Sequence, residues 1–236
     1  MKILAFDPFE EFQQFLADLS FESLLKDKAY VAASKRLHKR VLALLIVEHQ
    51  FDLELARSEK ELTIASASYL HEFRSDLLSS LLVFHLGLYK ASMMSARSAL
   101  ENLLRVVAGT QDLDYRNLKS VSDLIELVKT SPLRQKSRTF DSALKSLLVY
   151  YGEYCDFVHS TGEEFLSLDR KLGDMPRWQS DIGTKCTDSL VKMLQSAVCV
   201  LLFLMPQVLH HLRHDLRDTV LDSLPMKMKS GLADES

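Results

Sequence analysis

The chain has 236 residues, 47% of them hydrophobic and 26% charged, with a formal net charge of -3. That length and composition allow one globular core of ordinary size, and the slightly acidic balance excludes a large basic surface built for nucleic-acid phosphates. Three scattered cysteines, Cys155, Cys186 and Cys199, have no C-x-x-C spacing; they read as small buried residues of a reducing compartment, not as a disulfide or zinc framework.

The opening, MKILAFDPFEEF, turns acidic before a signal-peptide core can form, so a cytoplasmic protein is expected. Glycine and proline number only 7 and 5, which points to long helices and few tight turns. A first helix is expected near Pro8 to Leu25, with Pro8 suited to the first turn. A second spans Ala29 to Leu55, where Leu37, Val41, Leu44, Leu45 and Glu48 follow three- and four-residue spacing. A third spans Ser58 to Leu86, with a stripe of Leu77, Leu78, Leu81, Leu82 and His85, and Gly87 ends or bends it.

Further along, the pattern predicts helices over Tyr89 to Ala108, stopped by Gly109, and over Ser120 to Lys129. Ser131-Pro132 breaks the chain, and a sixth helix spans Thr139 to His159. After a loop carrying Pro176, a last long helix runs from Arg177 or Trp178 to about His214. It is apolar nearly all round at Val198 to Leu204, which predicts burial in the bundle or in a subunit interface. Its most apolar run, Ala197 to Met205, is shorter than the roughly 20 residues of a membrane span, so no membrane partner is expected. No segment alternates as a half-buried strand does. The fold class is therefore all-α, an up-and-down helical bundle: residues 1–60 as an N-terminal helical extension, 61–214 as the bundle, and 215–236 as a weakly structured tail.

Two segments carry the candidate chemistry. Arg97 and Glu101 stand four apart on a helix that is apolar on several sides, at Met93, Met94, Leu100, Leu103, Leu104 and Val107. A charged pair there is expected to be partly buried, the guanidinium held by the carboxylate. His159 closes the second segment, with Tyr154, Asp156 and Ser160 around it and Tyr151, Cys155 and Val158 on one face. Asp156, three before His159, is placed to orient its ring. His210, His211 and His214 offer at most two ligands on one face, and no Glu-x-x-His repeat occurs, so no metal and no cofactor is expected. The basic runs Ser34 to Arg40 and Leu133 to Arg138 lack the interleaved aromatics of a single-strand binder.

Taken together, Gly87, Ala91, Arg97, Ala99, Leu100 and Glu101, followed by Tyr154, Val158, His159 and Ser160, resemble the HEPN superfamily. The resemblance covers about 70–212. It implies a four- to five-helix bundle that commonly dimerises, in toxin–antitoxin and anti-phage systems, where many members are metal-independent endoribonucleases. In such members a histidine handles the protons of 2′-OH attack, and an arginine separated from it by four to six residues holds the phosphate charge. Here those positions are Gly152, Glu153 and Tyr154, so the signature lacks its arginine. The resemblance implies His159, Arg97 and Glu101 as the catalytic candidates, with Tyr154, Asp156 and Ser160 in support. RNA or a protein partner (an antitoxin or another defence component) is the implied ligand, in a homo-oligomer. The alternative is a non-catalytic binding and oligomerisation module, in which Arg97, Glu101 and His159 only lock helices together.

Overall fold

Asp27 starts the first long helix: its carboxylate accepts the Ala29 and Tyr30 backbone N–H groups at 2.8 and 3.0 Å, taking up donors that a helix start leaves unsatisfied. The structure, a computed structural model, describes residues 21–159 and 176–235. The expected helix near Pro8 to Leu25 lies mostly outside the described residues, as does Ser160. Within them the elements are α1 (Glu22–Leu25), α2 (Lys28–Leu55), α3 (Glu61–Ala65), α4 (Ala67–His85), α5 (Tyr89–Thr110), α6 (Val121–Lys129), α7 (Pro132–Lys136), α8 (Arg138–His159), α9 (Ser180–Leu204), α10 (Gln207–His211), α11 (His214–Ser223) and α12 (Met226–Glu235). No strand occurs among the described residues, and the fold is all-α.

The long helices pack as an up-and-down bundle. α4 lies along α5, and α9 is packed between α2, α5 and α8. One continuous core results, from Leu37, Val47 and Phe51 of α2 through Phe73 and Leu77 of α4 to Leu194 and Leu201 of α9. Each fully buried side chain of this size contributes about 1.5–3 kcal/mol, and the Arg36–Asp188 ion pair at 2.6 Å adds a polar tie between α2 and α9. α9 is long and apolar enough to cross a membrane, but 83% of its apolar window is buried inside the fold, as in a core helix. It ends at Leu204, short of the expected His214, because Pro206 lacks the N–H that would continue the ladder.

Two further expectations are corrected. On α4 the buried face is Leu70, Phe73, Leu77, Ser80 and Phe84, whereas Leu78 and Leu82 point outward. Sequence spacing fits either stripe, and packing against α5 selects one. Gly109 does not stop α5, which continues to Thr110 and closes on Asp112 in the left-handed region, with Leu113 N–H bonded to the Ala108 carbonyl. Gly109 is instead a contact point: a Cβ there would press on the Leu62 carbonyl and the Ser66 side chain. Gly87 does end α4, at φ 78°, with Leu88 N–H bonded to the Val83 carbonyl at 2.9 Å.

Candidate functional site

Arg97 and Glu101 sit on the face of α5 that meets α8. Their side chains pair at 3.2 Å and are 28% and 20% exposed, so the pair is half-sunk between helices. Tyr151 of α8 completes the group. Its hydroxyl donates to Glu101 Oε1 at 3.2 Å and accepts from Arg97 Nη2 at 3.4 Å, and the guanidinium lies 5.5 Å from the ring centroid. Arg97 also interacts with Cys155 one turn on. Arg97 facing 151 and 155 while Glu101 faces 151 is the register of an antiparallel pair.

The electrostatics fit a closed bracket. Burial pushes the Tyr151 phenol up to about 12; the Arg97 hydrogen bond pulls the other way, and the Glu101 charge adds to the rise. Tyr151 is therefore a neutral donor at neutral pH. The hydrogen bond from Arg97 to Tyr151 raises the guanidinium further above its usual range. Arg97 Nε is buried without an acceptor, a cost of about 1–3 kcal/mol that the remaining contacts of the bracket offset.

The other predicted residues stand apart. His159 is exposed at the end of α8 and makes no hydrogen bond or ion pair among the described residues. Asp156 is exposed as well, and no hydrogen bond joins it to His159. Tyr151 and His159 are eight residues, about 12 Å of helix, apart. Tyr154 turns to the other side: it is fully buried against α9, its hydroxyl accepting from Ser189 Oγ at 3.2 Å, and burial pushes its phenol far up. Glu153 is half-buried near Ser189 and Lys192, and burial raises its carboxyl. Gly152 faces open space. The three positions at which an arginine was sought thus look in three directions.

Sequence reasoning named Tyr151 for its helical face but did not make it a partner of Arg97. Its i, i+4, i+8 spacing with Cys155 and His159 was the available signal. Elsewhere, His211 is engaged by Glu54, with Nδ1 2.8 Å from Oε1, which ties α10 to α2. No family model matches this chain, and no curated protein or solved structure matches it.

Proposed function

We propose that this chain is a HEPN-like helical protein of a toxin or anti-phage defence system that acts by binding, to itself or to another component of that system, and does not cleave RNA unaided. The observation that carries this reading is the Arg97–Tyr151–Glu101 bracket. The guanidinium that would have to hold a scissile phosphate is already held, and His159 lies about two helical turns past Tyr151. Exposed apolar side chains on α4 and α5 support binding. Leu78 and Leu82 on α4 and Met94 on α5 are 45%, 61% and 49% exposed, on two helices joined between them by the Ser80–Ser92 hydrogen bonds.

The second reading, a metal-independent endoribonuclease with a degenerate motif, rests on the exposed ring of His159. It would draw Arg97 or another cation to that ring across a dimer.

Light scattering and RNA integrity decide between them. On the binding reading, purified wild type leaves cellular RNA intact; where the partner is a second copy it runs as more than one chain and Leu82→Glu runs as one. RNA cut by wild type but spared by a folded His159→Ala variant would overturn this reading in favour of the nuclease.

A further inference from the structure

Beside the start of α2 and the end of α4, with no residue of the bracket in its lining, is a cavity of about 420 Å³, within the size range of small-molecule sites. Its walls are Leu25, Tyr30 and Val31 on one side and His85 on the other. Tyr30 and His85 are fixed with respect to each other: the hydroxyl and Nδ1 are 2.9 Å apart, and the rings meet edge to face at 5.7 Å. Trp178, the single tryptophan of the chain, backs Tyr30 at 5.7 Å and Phe84 at 6.2 Å. This corner is held by Gly87, where any side chain would strike the Arg177 carbonyl. A rigid aromatic wall results.

The wall also carries polar groups. The Ser34 hydroxyl lines the cavity and is buried, and it interacts with the Tyr30 hydroxyl one turn back. The Trp178 indole N–H behind the wall is buried and unpartnered. Burial lowers His85, so its ring is neutral at neutral pH and presents Nε2 beyond the bond to Tyr30. Native structures leave few such groups unsatisfied, and a ligand is one of the things that satisfies them.

Charge narrows the ligand class. Among the described residues no carboxylate lines the cavity, and its rim carries Lys35 and His38. Lys35 forms no ion pair among the described residues, and the adjacent Arg36 is paired with Asp188 of α9 at 2.6 Å. An apolar, aromatic interior with the Lys35 cation at its rim matches a flat ring that bears one acidic group.

We propose that this cavity binds a small planar aromatic acid, its ring against Tyr30, Val31 and His85 and its carboxylate at Lys35 and His38. The site is independent of the binding function proposed above, and its test involves neither RNA nor oligomer mass as the primary readout.

The test is calorimetry on the full chain with 2-naphthoate, 2-naphthamide and 2-naphthylmethylammonium as probes. The expected result is one naphthoate per chain, bound about tenfold or more tightly than the amide, with the ammonium weakest. Lys35→Glu is expected to weaken naphthoate about tenfold, and Val31→Trp, which fills the cavity, to abolish binding; unchanged thermal melts establish that both variants fold. Naphthoate that fails to bind at millimolar concentration, or binds Val31→Trp as well as wild type, overturns the proposal. So does equal binding of the ammonium probe. If Val31→Trp instead changes the oligomeric mass and no probe binds, the cavity belongs to an interface between copies and the small-molecule assignment falls.

Discussion

The Tyr151 hydroxyl stands between the two members of an ion pair, 3.4 Å from Arg97 Nη2 and 3.2 Å from Glu101 Oε1. Helix α8 therefore closes a charge pair that α5 could make alone, and one phenol ties the two helices. Tyr151→Phe removes only that tie. It is expected to cost about 1 kcal/mol in urea unfolding, as the loss of a half-buried hydroxyl bonded to charged groups. Unchanged stability would show that the bridge contributes nothing.

The same phenol sets a pH dependence. Its folded value, about 12, lies above the ordinary tyrosine value near 10, so the folded state holds the proton more tightly. Stability from this source is complete below pH ~10 and is lost as pH rises toward 12. The buried Tyr154 acts in the same direction. Urea midpoints measured from pH 9 to 11 should fall, and less steeply in Tyr151→Phe than in wild type.

Restoring an arginine ahead of His159 separates the positions by their surroundings. Tyr154→Arg would bury a guanidinium against α9 with no carboxylate in place, and is expected to cost several kcal/mol or prevent folding. Gly152→Arg projects into open space and replaces glycine inside a helix, so it should gain about 0.5–1 kcal/mol. Thermal melts of the two variants check this ordering. Gly152→Arg is also the variant in which to look for ribonuclease activity, because it completes the spacing on a folded chain.

Glu54 gathers Gln50 at 2.9 Å, Arg57 at 2.8 Å and His211 at 2.8 Å on one buried oxygen. Burial works to raise its carboxyl, but the hydrogen bonds from His211 and Gln50 and the charge of Arg57 outweigh it, and the net shift is downward. A lowered folded pKa contributes stability that is present above the unfolded value near 4.3 and disappears as pH falls through the folded one. Glu54→Gln should cost about 1–2 kcal/mol at neutral pH. Its deficit against wild type should shrink below pH 4, as read by chemical denaturation at both pH values.

Gly87→Ala tests the corner that carries the aromatic wall. The position has φ 78°, and a Cβ would meet the Arg177 carbonyl, so strain and collision add. The expected loss is about 2–4 kcal/mol, accompanied by a change in Trp178 fluorescence as Arg177 is displaced. A full-stability variant would mean that this backbone approach is easily relaxed.

Much of the fold was legible in sequence because it depends on near neighbours. Scarce glycine and proline together with three- and four-residue apolar spacing located α2, α5, α6, α8 and the start of α9 to within a few residues. The Arg97–Glu101 pair was legible for the same reason, since a four-residue spacing on a helix brings two side chains together whatever the rest of the chain does. The end of α5 was misread because a glycine can serve as a stop or as a close contact, and only the position of Leu62 and Ser66 shows that Gly109 is the latter.

What tertiary structure alone decided is which distant side chains meet. The stripe of α4 that faces inward, the turning of Tyr154 toward α9 and Tyr151 toward Arg97, and the Tyr30–His85 contact at the cavity all follow from the register between helices far apart in sequence. That register is set by the summed fit of many apolar side chains, a property that no local pattern encodes. The amino-acid sequence by itself determined a helical chain with one charged pair on α5. The packing of α5 against α8 turned that pair into a three-residue bracket and left His159 exposed beyond it.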